Sequence, residues 1–181
     1  MTDPIPSLKT ERLLLRPISP QDLEAMFDYA SCESVARYVT WQAHTSIEDT
    51  RAFMALILDG YQQGNHLFWG IEYEQKLIGT IDFVSINETH KFAEIGYVLS
   101  EAYWNKGITT EAARKLIDFG FNELGLVRIQ ARCFEENIGS QKVMEKSGML
   151  YEGILRKSMF VKGIHRNVKM YAITEDDYVK S

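Results

Sequence analysis

Between residues 67 and 100 the chain spells three strand-like segments in close succession, LFWGIEY, KLIGTIDFVSI and FAEIGYVLS, joined only by EQ and NETHK. Each segment is rich in β-branched and aromatic residues, the side chains that fit a pleated surface. Links this short cannot hold a crossover helix, so consecutive strands must fold back on one another as an antiparallel meander. The next residues, YWNKGITTEA (103–112), place one glycine before a helical pattern in which Ile108, Ala112, Ala113, Leu116, Ile117 and Gly120 share a face.

The flanking segments fill out the same architecture. ERLLLRPI (11–18) alternates as a first strand, and Ser19-Pro20-Gln21-Asp22 supplies a cap, a first-turn proline and an early carboxylate for a helix. Ser46 and Asp49 introduce a second helix, with Phe53, Leu56, Ile57 and Tyr61 at helical spacing before Gly64. LVRIQARCF reads as a strand, Asn137 caps a short helix ending at Lys146 and Gly148, and YEGILRKSMF and HRNVKMYAI form a hairpin about VKG. The predicted order is β α α β β β α β α β β. This is an α/β fold of the α+β type, a mostly antiparallel mixed central sheet flanked by helices. With no repeat or linker in its 181 residues, the chain is expected to form one domain over 1–181.

A strand, a glycine-bearing loop and a helix N-terminus bring unbonded backbone N–H groups and the positive end of a helix dipole to one point. Such a point binds anions, a phosphate or pyrophosphate above all, with Gly107 allowing close approach and Lys106 adding a cation. The alternative reading of the same residues is an ordinary strand-to-helix turn. Neither GxxxxGK[ST] nor GxGxxG is present.

The stretches AEIGYVLSEAYWNKGITTEAARKLIDFGF and RIQARCFEENIGSQKVMEKSGMLYEG, in this order and spacing, resemble the GNAT superfamily of N-acetyltransferases and its RimJ/RimL-like branch. The resemblance runs from TERLLLRPI to GIHRNVKMYAI. It implies that the loop at Lys106, Gly107, Ile108 and Thr109 holds the pyrophosphate of acetyl-CoA through backbone amides. Trp104 stands where the superfamily often has Gln or Arg, and Thr109 where it often has Gly or Ala. The resemblance further implies that the pantetheine arm adds to the strand at Val98 and Leu99, and that Asn137 contacts the cosubstrate.

Acetyl transfer to an amine needs a neutral nucleophile, a stabilised oxyanion and departure of a thiolate. Glu94, in the strand AEIGYVL, resembles the general-base glutamate of the histone-acetylating members. The competing reading is a solvent-facing or ion-paired strand residue, and Glu135, Glu136 and Glu152 are rival carboxylates. Ser140, three positions after Asn137, resembles the branch's serine beside the leaving sulfur, Met144 occupying the position where many members have a tyrosine. Its alternative role is assistance to the helix cap. Lys142 and Lys146 lie one turn apart on the short helix, where either could approach the adenosine phosphates or the pair could form a solvated face. Trp41, Trp69, Tyr97 and Phe134 are candidates for an acceptor pocket or for core.

A covalent acetyl-cysteine is disfavoured, since Cys133 has no histidine near it in sequence. The two cysteines form no framework and the four histidines lack ligand spacing, so no metal and no disulfide is expected. A formal net charge of −5 argues against general nucleic-acid binding. No apolar run suits a membrane helix and MTDPIPSLKT does not read as a signal peptide, so a cytoplasmic protein is expected. The expected partner is an amine substrate, a protein N-terminus or a small molecule such as a polyamine, amino acid or drug, with a homodimer as the candidate assembly. The rival of a different class is a non-catalytic acyl-CoA-binding protein.

Overall fold

A computed structural model describes residues 5–64 and 66–179; residues 1–4, 65, 180 and 181 lie outside it, and with them the start of MTDPIPSLKT and the ends of the 1–181 domain. The strands are β1 (Leu8–Lys9), β2 (Leu13–Arg16), β3 (Phe68–Tyr73), β4 (Lys76–Asn87), β5 (Phe92–Leu99), β6 (Arg128–Phe134), β7 (Leu150–Val161) and β8 (Ile164–Thr174). The helices are α1 (Leu23–Ala30), α2 (Glu33–Ala36), α3 (Ile47–Gln63), α4 (Ile108–Asn122), α5 (Ile138–Lys146) and α6 (Glu175–Val179).

Hydrogen bonding orders the sheet β1-β2-β3-β4-β5-β6-β8-β7. Pairing is antiparallel at β1–β2, β2–β3, β3–β4, β6–β8 and β7–β8, and parallel at β5–β6. The mixed, mostly antiparallel α/β sheet is the one the alternation predicted. The described residues pack as two compact units, one within 5–82 with 97–108 and one of 83–96 with 109–179.

In the first unit the strand expected over 11–18 is β2, Leu13–Arg16, and a two-residue strand that the sequence did not announce, β1 at Leu8–Lys9, precedes it. Thr10 N–H donates to the Leu13 carbonyl at 3.0 Å and Leu13 N–H to Thr10 Oγ1 at 2.9 Å, which closes a tight turn between β1 and β2. The helix expected after Ser19 begins as a 3₁₀ turn, Pro20–Asp22, and continues as α1. Asp22 accepts from Ser19 N–H at 2.8 Å and from both Arg16 Nη atoms at 2.9 and 2.7 Å, while Arg16 Nε reaches Glu72 at 2.5 Å. Burial alone would raise the Asp22 carboxyl, yet the Arg16 guanidinium and the Ser19 donors hold it below the ordinary carboxylate range. Helix α3 carries the Ser46/Asp49 capping box at its start and a left-handed Gly64, φ 67°, at its end. Tyr61 ties it to β3, donating to the Phe68 carbonyl at 2.5 Å and accepting from Ile18 N–H at 3.1 Å.

In the second unit α4 buries Ala112, Ala113, Leu116 and Ile117. Truncating a leucine buried as fully as Leu116 costs about 2–5 kcal/mol. Strands β7 and β8 turn at Lys162 and Gly163, both left-handed (φ 51° and 80°), the pair of angles a two-residue hairpin demands. Behind the turn Phe134, Val161 and Val168 pack with Met159 and Met170.

Candidate functional site

The glycine loop belongs to the first unit. β5 ends at Leu99, a 3₁₀ turn follows at Glu101–Tyr103, and α4 opens at Ile108. Asn105 and Gly107 both have positive φ, 61° and 74°. An L side chain adopts that region at a cost of about 1–2 kcal/mol, so glycine immediately before the helix is a conformational requirement here. A Cβ at residue 107 would find only Arg12 Nη2 within 4 Å, at 3.6 Å, so one face of the glycine is otherwise open. Ile108 and Thr109 are buried at the start of α4. The first turn of an α-helix leaves its opening amides, here those of Ile108, Thr109 and Thr110, without intrahelical acceptors, an arrangement suited to an anion.

Three side chains hold the loop in shape. Trp104, in the position where the family often has Gln or Arg, donates its indole N–H to the Leu99 carbonyl at 2.8 Å, fastening the loop to the end of β5. Lys106 turns its ammonium back, to the Ala102 carbonyl at 2.9 Å and over the Tyr103 ring at 5.2 Å. The expected phosphate cation is thereby engaged in bracing the turn. Arg12 Nη1 donates to the Lys106 carbonyl at 3.0 Å. Sequence reading missed Arg12 because ninety-four positions separate it from the loop, and no local pattern links the two.

At Val98 and Leu99 the strand is closely pressed. A Cβ on Gly79 of β4 would stand 2.3 Å from the Val98 carbonyl oxygen, closer than a side-chain carbon tolerates, and a tight 3.0 Å from Leu99 Cα. Ser100 N–H donates to the Ile78 carbonyl at 2.8 Å in the same place. Val98 thus turns its carbonyl towards β4, and by strand alternation the peptide groups of Leu99 face the opposite edge.

Glu94 lies in the second unit. The parallel β5–β6 ladder pairs Phe92, Ala93 and Glu94 with Arg128, Ile129 and Gln130. Glu94 is buried, its Oε1 in an ion pair with Arg132 Nε at 2.7 Å and its Oε2 accepting from Gln130 Nε2 at 3.1 Å. The ion-paired reading of Glu94 is therefore realised, and any proton it takes must be taken beside Arg132. Counting two residues along β6 from the parallel partner Gln130 gives Arg132, so the alternation of RIQARCF carries this signal once the strands are paired.

Asn137 caps α5, its Oδ1 accepting from Ser140 N–H at 3.1 Å. Ser140 stands in the first turn, where its hydroxyl hydrogen-bonds the Cys133 thiol. Burial pushes that thiol up to about 11, against the pull of Lys169 and Ser140, so Cys133 is a poor source of thiolate near neutrality. The rival carboxylates are all engaged. Glu152 receives both Arg128 Nη atoms at 2.6 Å, and that bidentate bond holds its carboxyl below the ordinary range. Glu135 accepts from Asn167 Nδ2 at 3.0 Å, and Glu136 lies 3.8 Å from Arg166.

Of the four aromatics, Trp69 is fully buried with its indole on the Pro6 carbonyl, and Phe134 is core. Trp41 lies tilted against His44 with ring centroids 5.3 Å apart, and Tyr97 is half-buried. Lys142 is exposed on α5 and pairs with Glu145 at 3.1 Å. Among the described residues no helix is long and apolar enough to cross a membrane.

Residues 12–150 match the family model described as "Acetyltransferase (GNAT) domain". The crystal structure of a GNAT-family acetyltransferase from Bacillus anthracis superposes with a TM-score of 0.84 at 34% identity, covering 94% of this chain and 99% of that one. The ribosomal-protein-serine acetyltransferase of Escherichia coli (strain K12) is 33% identical over 127 residues, 70% of this chain and 71% of its own. The spermidine N(1)-acetyltransferase of the same organism is 30% identical over 169 residues, 91% of this chain and 87% of its own.

Proposed function

The chain belongs to the GNAT family of acetyltransferases, and from that premise we propose that it moves the acetyl group of acetyl-CoA to a protein N-terminal α-amine by direct attack in a ternary complex. The observation that carries the reading is the left-handed Gly107, φ 74°, at the head of α4. Helix-start amides at Gly107, Ile108 and Thr109 hold the pyrophosphate, and Lys106 contributes to the loop through its backbone. The pantetheine arm runs along the end of β5 past Val98 and pairs with the peptide groups of Leu99, which face away from β4, and Asn137 meets the cosubstrate from the cap of α5. One acetyltransferase domain over residues 1–181, working in the cytoplasm, completes the proposal.

In the reaction the amine nitrogen bonds to the thioester carbonyl carbon, the C–S bond breaks, and the coenzyme leaves as thiolate. The amine proton passes to Glu94, directly or through water, and the Ser140 hydroxyl hydrogen-bonds the departing sulfur. Ser140 already bonds a sulfur, that of Cys133, and rotation about χ1 frees it for another. The high pKa of Cys133 supports direct transfer over an acetyl-cysteine intermediate.

The Glu94 carboxylate is shared with Arg132 and Gln130, which favours an acceptor that asks little of its base. About one α-amine in seven is neutral at pH 7, against about one lysine side chain in 2,500. The spermidine-acetylating relative supports a second reading, a small-molecule amine acceptor. Mass spectrometry after incubation with acetyl-CoA, peptides with free or blocked N-termini, and spermidine separates the two. Acetylation confined to free peptide N-termini is expected, and acetylation of spermidine alone would replace the first reading with the second.

A further inference from the structure

Glycine at position 107 makes the loop conformation possible but does not enforce it, since a glycine populates either sign of φ with similar ease. Rotation of the Lys106–Gly107 peptide about its flanking bonds would carry the Gly107 N–H from one side of the loop to the other. Something must hold that peptide. In a planar trans peptide the carbonyl and the N–H point in opposite directions, so whatever fixes the Lys106 carbonyl also aims the Gly107 N–H. The Lys106 carbonyl accepts from Arg12 Nη1 at 3.0 Å. Arg12 itself springs from the closed turn between β1 and β2, where Thr10 and Leu13 bond one another at 3.0 and 2.9 Å.

We infer that Arg12 is a positioning residue for cosubstrate binding, a peptide clamp that locks the Lys106–Gly107 unit with its N–H turned to the pyrophosphate. The inference rests on the reading of the loop as the pyrophosphate cradle. Arg12 acts through the carbonyl, and the phosphate is met by the amide on the far side of the same peptide. Lys106, with its ammonium on the Ala102 carbonyl at 2.9 Å, braces the loop from its other end. A cationic donor on a carbonyl has a net worth of about 1.5–3 kcal/mol, which corresponds to roughly tenfold to a hundredfold in affinity when the bond is needed for binding.

The experiment compares wild type, Arg12→Ala and Arg12→Lys by calorimetry with acetyl-CoA and with S-acetylpantetheine, which lacks the phosphates, at 0.1 M and 1 M KCl. Circular dichroism melts verify folding. Arg12→Ala is expected to lose tenfold or more in acetyl-CoA affinity and nothing towards S-acetylpantetheine, and KM for acetyl-CoA should rise while kcat holds. Arg12→Lys, which can still reach a carbonyl, should recover most of the loss. Because the contact is a short bond to a peptide, the wild-type-to-alanine ratio should persist at high salt. A ratio that collapses at 1 M KCl would overturn the clamp in favour of a direct charge on the phosphate. Unchanged acetyl-CoA affinity in Arg12→Ala, or an equal loss for both ligands, would overturn it as well. If wild type binds acetyl-CoA no more tightly than S-acetylpantetheine, the cradle reading itself fails. If wild type discriminates and Arg12→Ala does so equally, the clamp alone fails.

Discussion

Replacing Gly107 by valine asks the loop to hold a β-branched residue at φ 74°. The magnitude follows from that angle. An L-residue in the left-handed region costs about 1–2 kcal/mol, and a factor of ten in affinity is 1.4 kcal/mol, so acetyl-CoA binding should weaken about five- to thirtyfold. A branched Cβ adds to this by narrowing the face on which the phosphate is received. Direct collision contributes little, because the new Cβ would meet Arg12 Nη2 at an ordinary 3.6 Å and no other group within 4 Å. The ranking of substitutions is therefore set by backbone preference. Gly107→Asn, whose side chain tolerates the left-handed region, should keep more affinity than Gly107→Ala, and Gly107→Val least. Isothermal calorimetry with acetyl-CoA measures the series, with thermal melts to establish that each variant is folded. Wild-type affinity in a folded Gly107→Val protein, or an asparagine variant weaker than the valine one, would refute the reasoning.

Glu94→Gln should preserve acetyl-CoA affinity and lower turnover by roughly a hundredfold or more, the deficit closing as pH nears the amine pKa; a pH–rate profile identical to wild type would leave Glu94 as Arg132's partner only. Ser140→Ala should lower kcat and kcat/KM together, on the order of tenfold to a thousandfold, with a gap that narrows for acetyl thioesters of more acidic thiols. A gap independent of the leaving group would make Ser140 a capping residue. The Cys133 thiol, raised by burial to about 11, should alkylate with a rate that climbs about tenfold per pH unit through pH 7–9, while Cys133→Ala keeps acetyl transfer. A plateau of the alkylation rate near pH 8, or loss of transfer in that variant, would reopen the covalent route.

How far the sequence led can be seen at particular residues. Ser46, Asp49 and Gly64 bounded α3 because caps and left-handed ends are local chemistry, and the short links EQ and NETHK dictated the meander for the same reason. Gly107 was legible as a helix-start glycine, and the structure supplied the positive φ. The alternation of ERLLLRPI marked β2, whereas β1 escaped because two residues are too few to alternate. Helix α2 escaped because four residues are too few to show a 3.6-residue period. At the site, residue identity and location were separable problems. Glu94 was visible as a candidate base, but its bond to Arg132 depends on the parallel register of β5 with β6. Arg12 was invisible for a related reason, since its contact with Lys106 spans the chain from the first turn to the helix start. Lys106 looked like a phosphate cation, but in the fold a nearby carbonyl and an aromatic ring hold its ammonium.

The central claim is acetyl transfer from acetyl-CoA to an amine. It is tested most directly by incubating the purified chain with acetyl-CoA and a panel of amines, while measuring free coenzyme thiol and acetylated amine in the same sample. The account predicts the two products in equal amounts, with a free peptide N-terminus as the preferred acceptor and less of both products from Gly107→Val at subsaturating acetyl-CoA. Tight binding of acetyl-CoA with no acetylated amine from any member of the panel would contradict it.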